Sequence, residues 1–267
     1  MTLMLATITS TLILVAGYAF GQAGKSKGAL SPEQAAAIEA IRGYALSYEK
    51  SLPNYTCTQK TSRISRPPNA VNNPSIQSTN IEEQVSYFDR QEIRTITRID
   101  GHAVAPEAKP NRNGMSQGEF AYLLNIIFEP ATGADLHWDR ADKLDGRKVD
   151  VITFQIPQSR GYVLKESRSQ LKVPFVGLVY ADAQTHAVLR IQMKCIMIPA
   201  NSDIKTLDLT LDYKGVQVAG QEFILPSRFV LRYLDFTEDR QHVNEGKFSE
   251  YRRFSADAVI QFQTDKQ

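Results

Sequence analysis

The residues of this chain whose types could do chemistry are few and scattered. Cys57 and Cys195 are its two thiols. In an exported chain they either pair or stay as buried free thiols, and sequence separation leaves both alternatives open. No activating neighbour marks either as a nucleophile, since Lys194 adjoins Cys195 but points to the other face of a strand. The four histidines, His102, His137, His186 and His242, show no pair at metal-ligand spacing, and C-x-x-C is absent. Neither a metal nor another cofactor is therefore expected. His186 follows Asp182 in ADAQTH. An acid–base pair is one reading, but Asp and Thr favour polar hairpin loops through their own backbone bonds, and the loop is preferred. Trp138 is read as sheet-face packing rather than a ligand platform. Gly24-Lys25-Ser26 matches the end of a phosphate-binding loop, yet the glycine needed five positions earlier is Ala19. A G-x-S-x-G elbow is also missing. These observations point away from an enzyme. The 31 Lys and Arg against 29 Asp and Glu leave +2, too balanced for a nucleic-acid partner.

The elements that must position these residues are easier to read. Leu3 to Phe20 is apolar, no charge precedes Lys25, and small residues follow. That reads as a signal peptide over 1–23, with a linker over 24–30 and a single domain over 31–267. The rival reading is an uncleaved membrane anchor. Ser31, Pro32 and Gln34 predict a capped helix start, and Ile38, Ile41, Ala45 and Tyr48 then recur at helical spacing to about Lys50. From Tyr55 the period changes to two. Strands are predicted at Tyr55–Ile64, Ile81–Arg90, Glu92–Ile99, Asp135–Leu144 and Lys148–Ile156. Five more follow at Phe175–Ala181, Val188–Ile198, Lys205–Tyr213, Arg228–Phe236 and Lys247–Phe254. In the last third, Leu189, Ile191, Met193, Cys195 and Met197 alternate with polar residues, as do Leu207, Leu209, Leu211 and Tyr213. One apolar and one wet face are typical of antiparallel sheets. Asp100-Gly101 and Asp145-Gly146 are hairpin-turn dipeptides. A second helix opens at Ser116 with Glu119, carries Phe120, Leu123, Leu124 and Ile127 on one stripe, and closes at Pro130.

About ten strands with two helices make an α+β, mainly β chain. Such a sheet curls rather than staying flat. The expected architecture is a curled antiparallel sheet, an open half-barrel, with helices covering its concave face. Two stretches, VGLVYADAQTHAVLRIQMK and LTLDYKGVQVAGQEFILPSRFVLRY, resemble the strand–turn–strand segments of the periplasmic lipoprotein-carrier superfamily, the LolA/LolB-like or outer-membrane lipoprotein-sorting proteins. The segment 157–174 matches no element of that superfamily. The resemblance implies a half-barrel whose apolar concave face can hold acyl chains, and a periplasmic or secreted protein. Its expected partners are a lipid, an acyl chain or a lipoprotein, with transient contact to a membrane or an envelope protein. A ligand cavity would then have Phe120, Leu123, Leu124 and Ile127 as its lid. Leu189, Ile191, Met193, Leu207, Leu209 and Leu211 would form its floor. Burial of acyl methylenes at about 0.8 kcal/mol each would drive binding. The alternative is an envelope structural or interaction module in which the same residues form a filled core.

Overall fold

The computed structural model describes residues 30–68, 75–105, 119–165 and 170–254. The expected signal peptide over 1–23 and the Ser116 cap lie outside the described residues. The first helix, α1 (Pro32–Ser51), is held by the expected capping box. Gln34 N–H donates to Ser31 Oγ at 3.2 Å, and Ser31 N–H donates to Gln34 Oε1 at 2.9 Å. Each bond satisfies a backbone donor that the first helical turn leaves orphaned. Ile38, Ile41, Ala45 and Tyr48 are its buried stripe.

The chain then runs through β1 (Tyr55–Arg66), β2 (Gln77–Phe88), β3 (Gln91–Ile99) and a two-residue β4 (His102–Ala103) before α2 (Glu119–Phe128). After α2 come β5 (Asp135–Leu144), β6 (Arg147–Ile156), β7 (Tyr162–Lys165) and β8 (Gln170–Val173). The series ends with β9 (Phe175–Asp182), β10 (Val188–Cys195), β11 (Ile204–Val218), β12 (Gln221–Asp235) and β13 (Arg240–Arg253). Eleven strands form one sheet in the order β4-β3-β2-β1-β13-β12-β11-β10-β9-β6-β5, while β7 and β8 pair separately. Every pairing is antiparallel. Within the segment 157–174, which had no expected counterpart, the described residues form a 3₁₀ turn at Gln158–Arg160 and the two paired strands β7 and β8.

The sheet is curled and does not close into a barrel. Both helices cover one face of it. Residues of α1 and α2 share a single core with alternate residues of β1, β2, β6 and β9 to β13. Two glycines let this inner face pack closely. A Cβ at Gly246 would overlap the Phe229 ring, and one at Gly177 would meet Gln192 O and the Phe154 ring. Arg42 of α1 ties the helices together by donating from Nη1 to Phe128 O, the last carbonyl of α2, at 2.6 Å. A cation there also suits the negative end of the helix dipole.

The expected alternation from Leu189 to Met197 fails at both ends. Val188 pairs with Ala181 but Arg190 with Tyr180, so two residues oppose one and the strand bulges. Val188 therefore joins Ile191 on the inner face, whereas Leu189 packs on the outer face with Val149 and Val151. At the other end the strand stops at Cys195, and Met197 is exposed with φ +50°.

Candidate functional site

The expected cavity residues are mostly gathered in one place, and they pack against one another. Leu123, Leu124, Ile127, Ile191, Met193, Leu207, Leu209 and Leu211 all belong to the core between the helices and the sheet. Leu189 faces away from them, and the Phe120 side chain lies outside the described residues. Cys57 and Cys195 are both buried and free. Three strands, β13, β12 and β11, separate their strands in the sheet, so the disulfide alternative gives way to buried thiols. Burial pushes both thiols up to about 12, which keeps them protonated. Asp182 accepts the Gln184 and Thr185 N–H groups on Oδ1, both at 2.9 Å, and His186 holds the turn at φ +59°. This is the polar hairpin loop. Trp138 is half-buried and packs on the core.

A cavity of about 240 Å³ opens beside that core, where the C-terminal half of α1 and the outer stripe of α2 meet the β1–β3 end of the sheet. Tyr48 and Glu49 line it from α1, Leu52 from the residue that caps that helix, and Ala121, Tyr122 and Asn125 from α2. Tyr55, Tyr87, Arg90, Glu92 and Pro226 complete the wall. Helical spacing explains the division of labour on α2: residues 121, 122 and 125 share one side, while Leu123, Leu124 and Ile127 face the core. The helix borders a cavity, but with the stripe opposite to the expected one.

Rings organise the wall. Tyr55 stacks on Tyr87 with centroids 5.3 Å apart and meets Tyr251 edge-on at 5.2 Å. Tyr48 stands edge-on to Tyr213 at 5.8 Å and lies 6.3 Å from Tyr44. Burial pushes Tyr48, Tyr55 and Tyr251 well above the usual phenol range, and Tyr87 is raised by burial and then by Glu49. Every one of these phenols is a neutral hydrogen-bond donor. Tyr251 donates to Pro226 O at 2.6 Å. The hydroxyls of Tyr48 and Tyr87 are buried and find no hydrogen-bond partner among the described residues.

The charged groups at this end are engaged with one another. Arg94 Nε donates to Glu92 Oε1 at 2.5 Å and its Nη1 to Gln59 Oε1, with Glu83 Oε2 3.7 Å away. Gln59 Nε2 donates to Thr61 Oγ1 at 2.9 Å and to Glu83 Oε2 at 3.2 Å. Gln59, Thr61 and Glu83 are fully buried, so the inner face turns from apolar to polar toward β1–β3. Asn125 Nδ2 donates to Glu49 Oε2 at 3.3 Å. Arg90 sits exposed in the β2–β3 turn, whose two residues Asp89 and Arg90 both take positive φ, +49° and +61°.

One group of metal-ligand residue types also gathers, at the β12–β13 turn: Asp235, Glu238 and His242. Much of its geometry is that of a closed hairpin. Asp235 Oδ1 accepts the N–H groups of Thr237 and Glu238 at 2.8 and 3.0 Å, and His242 stacks on Tyr233 at 4.5 Å. Burial lowers the His242 pKa despite Glu238 beside it.

No family model matches the sequence, and no curated relative matches it either. Among solved structures the chain is similar to a LolA superfamily protein from Nitrosomonas europaea, at 11% identity and a TM-score of 0.37, over 90% of this chain and 100% of that one. It is also similar to a putative outer membrane lipoprotein-sorting protein domain from Vibrio parahaemolyticus, at 11% identity and a TM-score of 0.37, over 82% of this chain and 92% of that one. A DUF1329 family protein from Desulfovibrio piger aligns at 8% identity with a TM-score of 0.42, over 82% of this chain and 94% of that one.

Proposed function

We propose that this chain is an exported, non-enzymatic binding protein that takes the acyl part of a lipid or of a lipidated protein into the cavity at the α1–α2–sheet seam. The observation that carries this reading is the cavity itself. Its wall combines tyrosine rings with Leu52, Ala121 and Pro226, and the partly exposed Tyr122 stands on it. Such a lining rewards apolar burial. About six buried methylenes would contribute about 5 kcal/mol. With the volume share of a water molecule at about 30 Å³, the space fits one segment of a chain rather than a whole diacyl anchor. Export rests on the apolar run from Leu3 to Phe20. The non-enzymatic reading rests on neutral, buried thiols, on His186 in its turn and on His242 stacked against Tyr233.

The second reading, an envelope interaction module, is favoured by the close packing of Leu123, Leu124 and Ile127 on the sheet. Two measurements separate the readings: mass spectrometry of the protein purified from its native host, and titration with the fluorescent fatty acid cis-parinaric acid. Co-purifying lipid or saturable fluorescence supports the carrier. Neither lipid nor fluorescence change at high probe concentration sinks it.

A further inference from the structure

Tyr48 and Tyr87 both line the cavity, one from a helix and one from a strand. Only 3% of Tyr48 and 7% of Tyr87 is exposed, and both hydroxyls lack a partner among the described residues. A buried donor left unmatched is costly, and native structures rarely tolerate two in one place without use. Tyr251 shows the contrast a few ångströms away, with its hydroxyl satisfied by Pro226 O. Both unmatched phenols are neutral, so what they require is an acceptor.

The surrounding charges narrow the acceptor. Glu92 is held by Arg94, and Glu49, whose carboxylate accepts from the uncharged Asn125 amide, lines the cavity. A second carboxylate next to it would be repelled. Arg90 lines the same cavity from its exposed turn, where solvent and salt screen its attraction for a carboxylate. A neutral carbonyl oxygen meets none of these penalties.

We infer that Tyr48 and Tyr87 form a donor pair for a neutral carbonyl oxygen, the ester or amide linkage of an acyl group, with the hydrocarbon lying along Leu52, Ala121 and Pro226. This deepens the acyl-binding reading and rests on it for the hydrocarbon half of the ligand. The site thereby prefers acyl chains in O- or N-linked form over free fatty acids and over plain hydrocarbon.

The test competes four probes of matched length against cis-parinaric acid: methyl octanoate, N-methyloctanamide, octanoate and nonane. Methyl octanoate and the amide are expected to displace the dye at about tenfold lower concentration than nonane or octanoate. Tyr48→Phe and Tyr87→Phe are each expected to weaken the ester by about fivefold and to leave nonane unchanged. The relative strength of ester and amide tells which linkage is the natural one. Equal displacement by all four probes overturns the inference and leaves the acyl-binding reading standing. A companion experiment covers the case in which no acyl probe binds. N-methylacetamide is titrated into protein with labelled tyrosines and followed by NMR. Shifts at the Tyr48 and Tyr87 resonances, with those of Tyr44 and Tyr251 unmoved, keep the donor pair while the acyl reading falls. No shift overturns both.

Discussion

Removing the Tyr48 hydroxyl should stabilise the protein. In Tyr48→Phe the ring keeps its edge contact with Tyr213 and its neighbour Tyr44, while one buried, unmatched oxygen disappears. Leaving such a group unsatisfied costs about 1–3 kcal/mol. The phenylalanine also gives up the oxygen's own packing contacts, so the lower end of that range, about 1 kcal/mol, is the expected gain. With a urea m-value of about 3 kcal/mol/M the midpoint should rise by about 0.3 M. Tyr251→Phe supplies the opposite sign. It deletes a 2.6 Å bond to Pro226 O and leaves a carbonyl unmatched, so the midpoint should fall by a similar amount. Urea unfolding followed by far-UV circular dichroism reads both variants against the parent. A Tyr48→Phe protein that loses as much stability as Tyr251→Phe would refute the reasoning, because the hydroxyl would then have a partner to lose. A residue kept against its own stabilising substitution is one that function retains.

Three further outcomes follow from the same geometry. Gly246→Ala puts a methyl group into the Phe229 ring and should cost about 1–3 kcal/mol, measured as a lowered thermal midpoint. Cys57 and Cys195, with pKa values of about 12, should resist iodoacetamide in the native protein at pH 8 and take up two equivalents after guanidinium unfolding, read by mass spectrometry. The hydrogen bond from Arg228 Nε at 2.9 Å holds the Glu245 carboxyl below its usual range. Its stabilisation is therefore present above the ordinary glutamate pKa of about 4.3 and is lost as pH falls through the lower folded value. The stability difference between the parent and Glu245→Gln should shrink on acidification below about pH 4, in urea titrations at stepped pH.

How much of this was legible depended on whether the signal was local. The Asp145-Gly146 and Asp100-Gly101 turns were readable because glycine supplies the second positive φ, +83° and +81°. The Asp89-Arg90 turn performs the same task with no glycine, so its left-handed backbone carries no sequence mark. The α1 stripe was readable since Ile38, Ile41, Ala45 and Tyr48 recur at helical period, and those four are the buried ones. The Leu189 face was misread because a bulge shifts the alternation by one residue, and nothing in LRIQMK announces a bulge. The cavity was invisible for a different reason. Tyr48 looked like one more member of a helical stripe, and Tyr87, which lines the same cavity, lies on β2, far along the chain. Glu83 was unreadable too, as an acid on the inner face shows its partners Gln59 and Arg94 only after the sheet is assembled.

An open sheet has two ends, and each end presents unpaired backbone groups to any extended chain nearby. Here they are protected by different means. On one side the two residues of β4 pair with Arg98 and Ile99 of β3, and the charged Glu92 and Arg94 interrupt the rest of that edge. On the other, β5 is ten residues long, but Asp139, Arg140, Asp142 and Lys143 crowd its second half. Arg140 is fastened to both Asp139 and Asp142. A partner strand would have to break that charged clasp to align its amides. The chain can therefore keep the curled sheet unclosed, with its helices seated on one face, without that openness inviting strand-by-strand polymerisation.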